Sequence, residues 1–203
     1  SDGADGPTVT MVSCGIPIPN TEIRIVDAER RDLPDRRVGE IALRSDCMLT
    51  GYYHRDDATA QAMQDGWYFT GDLGYVADGE LYITGRLKDL IIVGGKNVYP
   101  QDIEHVLNSV PGVHPGRTVA FGILNESLGT EDVAVICEVD TDDPTERDRI
   151  TKEIRSQIAQ TTDVMAHYVH LVERGWLIKT SSGKIARTAN REKFMEEVLG
   201  QTS

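Results

Sequence analysis

Three stretches place Gly, Ser or Thr beside a charged side chain: Trp67-Tyr-Phe-Thr-Gly-Asp-Leu-Gly74, Gly85-Arg-Leu-Lys-Asp-Leu-Ile-Ile-Val-Gly-Gly-Lys-Asn97 and Ile178-Lys-Thr-Ser-Ser-Gly-Lys-Ile-Ala-Arg187. The third lies in a cationic island. Between Arg174 and Lys193 stand Arg174, Lys179, Lys184, Arg187, Arg191 and Lys193, against Glu192 alone, in a chain of net charge −12. Ser181-Ser182-Gly183 can offer hydroxyls and backbone N–H groups, and Lys184 a mobile point charge, a combination that suits a phosphate. The same residues also read as a solvated loop leading into a helix. A Walker A loop is excluded, because Ile178 and Ile185 stand where that motif needs Gly and Ser or Thr. Asp72, on a predicted turn between Gly71 and Gly74, can accept hydrogen bonds from a vicinal diol such as a ribose. It can equally close an Asx-turn in a hairpin. Arg86 suits bidentate contact with hydroxyls or phosphate, or a surface ion pair.

Other chemistry finds less support. His167 and His170 are three apart, with nothing else at metal-ligand spacing near them, so no metal site is expected. Ser13, Ser181 and Ser182 lack the GxSxG context of a serine hydrolase. Asp140, Asp142 and Asp143 precede Pro144 without EF-hand spacing. Asn125-Glu-Ser127 matches a glycosylation sequon, which carries little weight without a signal peptide.

The elements around these residues fall into two regimes. From residue 20 to 84 the pattern is mostly short strands: Glu22–Val26 and Gly39–Arg44 alternate with period two. Asp65-Gly66 and Asp78-Gly79 are turn dipeptides, the second predicting a hairpin of Leu73–Val76 with Glu80–Thr84. A short helix is predicted over Asp56–Met63. After Gly85, strand and helix alternate. Leu90–Val93 reads as a strand ended by Gly94-Gly95, and Pro100 opens a helix reaching Ser109. Strands follow over Thr118–Ile123 and Asp132–Val139. A helix from Pro144 carries Ile150, Ile154 and Ile158 on one face. A strand over Tyr168–Val172 and a helix over Thr188–Leu199 complete the chain. The boundary between regimes is expected near Gly85–Lys88.

With 203 residues, 39% hydrophobic and 27% charged, the chain can bury a real core. Its 33 acidic against 21 basic residues oppose general attraction to nucleic acid or anionic lipid. No apolar run is long enough to span a bilayer. Three cysteines without a CxxC pair fit a reduced, cytoplasmic setting. The opening Ser1-Asp-Gly-Ala-Asp-Gly has no signal pattern and no initiator Met, so the chain is expected to be part of a larger protein.

In this order, Tyr68-Phe-Thr-Gly-Asp-Leu73, Gly85-Arg-Leu-Lys-Asp-Leu-Ile-Ile-Val-Gly-Gly-Lys-Asn-Val-Tyr-Pro-Gln-Asp-Ile-Glu104 and Lys179-Thr-Ser-Ser-Gly-Lys-Ile-Ala-Arg187 resemble the late core motifs of the adenylate-forming superfamily. That group includes acyl-CoA synthetases, peptide-synthetase adenylation domains and luciferases. Cys14-Gly-Ile-Pro-Ile-Pro-Asn-Thr-Glu-Ile-Arg-Ile-Val-Asp27, Val38-Gly-Glu-Ile41 and Thr50-Gly-Tyr-Tyr53 extend the resemblance upstream. Residues 87–104 and Val113-His-Pro-Gly-Arg-Thr-Val-Ala-Phe121 look most like fatty acyl-AMP ligases.

The resemblance implies an α+β fold: the β-rich tail of a large N-terminal domain over residues 1–86, then a small, mobile lid domain over 87–203. It implies that Asp72 binds the ribose hydroxyls of ATP with Arg86 as partner, that Lys88 holds the hinge position, and that Lys184 is the catalytic lysine reaching the α-phosphate and the substrate carboxylate. ATP and Mg2+ are the implied cofactors of the complete enzyme, fatty acid its substrate, and an acyl carrier protein or coenzyme A its acceptor. The phosphate loop, adenine pocket and acyl tunnel would lie upstream, so the fragment alone is expected to be inactive. A fatty acyl-CoA synthetase fragment and a non-catalytic adenylation-like binding module are the alternatives. Phe69 departs from the family pattern, standing where many relatives carry Arg.

Overall fold

The computed structural model describes residues 11–48 and 62–200. The chain divides into two compact units, residues 1–88 and 89–203.

The first unit is an antiparallel sheet of β1 (Thr21–Val26), β2 (Gly39–Ser45), β3 (Met63–Gln64), β4 (Trp67–Ala77) and β5 (Glu80–Arg86). β4 organises it. β2 pairs along one edge, while β3 and β5 share the other, β3 opposite Trp67 and Tyr68 and β5 from Asp72 onward. Both tight turns are Asp-Gly pairs with positive φ at each residue, 51° and 77° at Asp65-Gly66 and 54° and 81° at Asp78-Gly79. That is the backbone a two-residue hairpin of type I′ requires. Val26, Ala42, Trp67 and Phe69 form a small core. The guanidinium groups of Arg24 and Arg44 lie 4.9 and 4.6 Å from the Trp67 ring centre, and that of Arg30 lies 3.9 Å from Phe69's. Such contacts seal a thin core without excluding charge.

The register of β5 against β4 shifts between Leu73 and Gly74, where Thr84 is the extra residue on β5. A Cβ on Gly74 would lie 2.4 Å from the Tyr82 carbonyl oxygen and 2.9 Å from Ile41 Cδ1. Gly74→Ala is therefore expected to destabilise the first unit by about 1–3 kcal/mol, the usual cost of overpacking. The measurement is the urea midpoint followed through Trp67 in a Trp176→Phe background. An unchanged midpoint would mean that the hairpin relaxes freely.

The second unit contains β6 (Ile91–Val93), β7 (Lys96–Val98), α1 (Pro100–Leu107), β8 (Val113–Asn125), β9 (Thr130–Val139), α2 (Pro144–Thr162), β10 (Ala166–Val172) and α3 (Arg187–Glu197). β9 is central, antiparallel to β8 and parallel to β10, with α2 as the crossover. Its side chains alternate between two cores, as a strand covered on both faces must. Val133, Val135, Cys137 and Val139 meet Ile103 and Leu107 of α1 and Ile150, Ile154 and Ile158 of α2. Ala134 and Ile136 face Phe194 of α3 together with Val119, Phe121, Ile123 and Leu177. Pro144 opens α2 beneath the Asp143 side chain, which accepts from Thr145 N at 2.9 Å.

Three local expectations change. Gly94-Gly95 ends β6 as expected, but as a two-residue hairpin turn into β7, a strand that sequence did not predict. β8 begins at Val113, but its segment to Thr118 bulges off β9, which is how Pro115 and Gly116 are accommodated. Met63, predicted to end a helix, is instead paired with Tyr68 in β3; most of that helix, like Thr50-Gly-Tyr-Tyr53, lies outside the described residues. Among the described residues no helix is long and apolar enough to cross a membrane.

Candidate functional site

Asp72 and Arg86 are directly opposed across β4 and β5. Arg86 Nε stands 3.2 Å from Asp72 Oδ1, with the two side chains 59% and 35% exposed. So exposed a pair contributes little to stability and leaves donors and a carboxylate oxygen facing solvent. The backbone beneath it is firmly held. Gly71, with φ +71°, donates its N–H to Glu40 Oε1 at 3.0 Å. The Thr70 hydroxyl accepts from Asp72 N at 3.0 Å and donates to the Ile41 carbonyl at 2.9 Å. Asp72 thus lies within a strand kinked at Gly71, not on a free turn, and its carboxylate faces Arg86 rather than closing an Asx-turn. Tyr68, Thr70, Gly71, Asp72, Arg86, Leu87 and Lys88 line an open pocket of about 580 Å³. Lys88 is exposed in the single 3-10 turn Leu87–Asp89, and is the last residue of the first unit.

Lys184 belongs to the second unit. Its loop is a tight excursion closed by Thr180 N–H to Lys184 O at 2.8 Å and Gly183 N–H to Thr180 O at 2.9 Å. Gly183 has φ +82°, a conformation that favours glycine. The Lys184 side chain is exposed, and its ammonium has no ion-pair partner among the described residues. A pocket of about 340 Å³ runs beside the loop, lined by Glu104, Asn108, Gly116, Thr118, Lys184 and Arg187 among others.

The cationic island separates into two kinds of residue. Arg187 is buried in partners: it donates to Asp89 Oδ2 at 2.6 Å, to both Glu104 oxygens at 2.8 and 3.0 Å, and to the Ala120 carbonyl at 2.9 Å. Arg191 donates to Gly122 O, and Lys193 donates to Trp176 O while covering the Trp176 ring. Arg174, Lys179 and Lys184 remain at the surface. The positive field available to a ligand is therefore narrower than the sequence count suggests.

Sequence reasoning missed four residues that hold these groups: Glu40, Asp89, Glu104 and Asn190. Burial pushes the Glu104 carboxyl above the ordinary glutamate range, against the opposing pull of Arg187. Asn190 is fully buried and braces both stems of the Lys184 loop. It accepts from Ile178 N and donates to the Ile178 and Ala186 carbonyls, each at 2.9 Å. A polar residue on the buried face of α3 is the only sequence signal for Asn190. Nothing local marks Asp89 or Glu104, whose partner is 98 or 83 residues away.

Residues 2–53 match the family model for the AMP-binding enzyme, and residues 95–191 match that for the AMP-binding enzyme C-terminal domain. The chain belongs to the adenylate-forming family of AMP-binding enzymes. Among its adenylate-forming relatives is the medium-chain-fatty-acid–[acyl-carrier-protein] ligase JamA of Moorena producens (strain JHB), 38% identical over 94% of this chain and 34% of JamA. The acyl-CoA ligase clz12 of Cochliobolus lunatus is 36% identical over 90% of this chain and 51% of clz12. A solved structure from a study of fatty acyl-adenylate ligases from E. coli and L. pneumophila superposes with a TM-score of 0.81 at 31% identity, covering 98% of this chain and 35% of that one. The chain thus spans about a third to a half of the length of these relatives, and over that span it has the adenylate-forming fold. The C-terminal model includes Lys184, Arg187 and Asn190, whereas Asp72, Arg86 and Lys88 fall between the two matched spans.

Proposed function

We propose that this chain is the part of an ATP-dependent ligase that grips the ribose of ATP and supplies the adenylating lysine, in an enzyme that converts a fatty acid to its acyl-adenylate and passes the acyl group to an acyl carrier protein. The observation that carries the reading is the opposed Asp72–Arg86 pair on a rigidly held strand, open to solvent on its pocket side. A carboxylate accepts from two vicinal hydroxyls, and a neighbouring guanidinium donates to the same sugar. Lys184 then has a distinct task. As the substrate carboxylate attacks the α-phosphorus in line and pyrophosphate leaves, charge grows on the phosphoryl oxygens. An ammonium placed there stabilises that state more than the ground state. Lys88 is the hinge in this reading, with residues 89–203 as the lid, and the enzyme works in the cytoplasm. Mg2+ would accompany the triphosphate. Among the described residues no group of three or more His, Cys, Asp or Glu could cage a metal ion, and Mg2+ in such a site is held mainly by the phosphates, water and one or two carboxylates.

Similarity to JamA supports a carrier protein as acceptor, while similarity to clz12 supports coenzyme A as the second reading. The test supplies the complete ligase with ATP and a labelled medium-to-long fatty acid, adds holo carrier protein or coenzyme A separately, and reads products by mass spectrometry. Acyl transfer to carrier protein alone is the expected result. Efficient acyl-CoA formation would establish the second reading, and no adenylate at all would point to a binding module. Residues 1–203 by themselves are expected to release no fatty-acid-dependent pyrophosphate; measurable release would overturn that part.

A further inference from the structure

The loop that carries Lys184 has little packing of its own, since Thr180–Lys184 are all exposed. Its position is set from its base. Ala186 N–H donates to Ile178 O at 3.0 Å, and the buried Asn190 amide holds the same two stems. The next residue, Arg187, fans out to Asp89, Glu104 and the Ala120 carbonyl. Asp89 directly follows Lys88 in the 3-10 turn Leu87–Asp89. Glu104 is itself fixed, its Oε1 accepting from Ala120 N at 2.9 Å. A continuous set of charge-assisted hydrogen bonds therefore runs from the backbone beside Lys88 to the base of the Lys184 loop.

We propose that Arg187 is a positioning residue for Lys184, and that its ion pair with Asp89 locks the segment following Lys88 to the base of the lysine loop. This rests on the reading of Lys184 as the adenylating lysine. The chemistry of the group explains why an arginine stands here. A guanidinium presents a rigid fork of donors that can serve two carboxylates and a carbonyl at once, at 2.6–3.0 Å. An ammonium in its place would have to choose among them. The consequence is mechanical: where the turn after Lys88 goes, the base of the lysine loop follows without slack.

Arg187→Met removes the partner of two carboxylates and tests folding more than positioning, so the test uses Asp89→Asn, which keeps the shape and removes one charge. In the complete ligase, fatty-acid-dependent ATP–pyrophosphate exchange is measured for Asp89→Asn, Lys184→Ala and the double variant, alongside thermal melting. Asp89→Asn is expected to lower kcat about tenfold, the scale of a small misplacement of a reacting group, while leaving the KM for ATP and the folded fraction unchanged. In the Lys184→Ala background the same substitution is expected to cause no further loss, because a residue acting through the lysine has nothing left to position. Arg187→Lys should fall between wild type and Asp89→Asn. Equal fractional losses in both backgrounds, or a loss that only tracks melting, would overturn the positioning role. Unchanged adenylation in Lys184→Ala alone would sink the assignment of Lys184, and the positioning role with it.

Discussion

Lys184→Ala in the complete ligase is expected to lower the rate of fatty-acid adenylation by ~10²-fold or more, the scale of removing one preorganised charge-stabilising donor. The structure says where the loss should appear. The ammonium makes no ion pair among the described residues, and the bonds that close its loop use the backbone of residue 184. Alanine keeps those backbone bonds, so the melting temperature should stay within the small range of a surface substitution. The KM for ATP should also move little, because the groups proposed to hold the ribose, Asp72 and Arg86, are untouched. A fall in kcat with KM and stability preserved is the signature of an interaction made in the transition state. Carboxylate-dependent exchange of labelled pyrophosphate into ATP measures it, and near-normal exchange would remove Lys184 from the chemistry.

Arg187→Met is expected to destabilise the second unit by about 3–5 kcal/mol, the cost of stripping a buried ion pair of one partner. Asp89 and Glu104 have side chains only 15% and 21% exposed, and the variant leaves both facing a hydrocarbon. Their repulsion adds to the cost of desolvation. The pH dependence follows from the direction of the Glu104 shift. A carboxyl whose folded pKa stands above its unfolded value favours the folded state while protonated, and that contribution is lost as pH rises through the folded pKa. Without Arg187 the upward shift grows. The deficit should therefore narrow in acid and widen toward neutral pH, and urea unfolding at two pH values reads it directly. A deficit that is flat with pH would mean that the carboxylates rearrange into solvent.

The parts of this fold that sequence made legible are those with short-range causes. Both Asp-Gly hairpins, the Pro-opened helices and the Ile150, Ile154 and Ile158 stripe follow from backbone preference and periodicity. Pairings with distant causes were hidden. Pro115-Gly116 looks incompatible with a strand that in fact bulges around them against β9, while β7, a local hairpin strand, is too short at three residues to show a period of its own. The same division applies to the candidate site. Asp72, Arg86 and Lys184 declare themselves by residue type beside glycine or serine. Yet only the register of β4 with β5 brings the first two face to face. Arg187 counted as one more positive charge in the sequence, and is a saturated internal ion in the folded unit. Phe69 departs from the family pattern as a buried ring beneath Arg30, so a guanidinium still lies against β4 at this point.

The two-sided packing of β9 has a consequence for thiol chemistry. Cys137 lies wholly inside the sheet's core, and burial pushes its thiol up to about 12, so it supplies almost no thiolate at neutral pH. Cys14 and Cys47, both in the first unit, are exposed. A maleimide added to the folded chain therefore dresses one unit and leaves the other bare. The third adduct can form only once β9 has come open, which makes a single native cysteine a clock for the opening of the unit that carries Lys184.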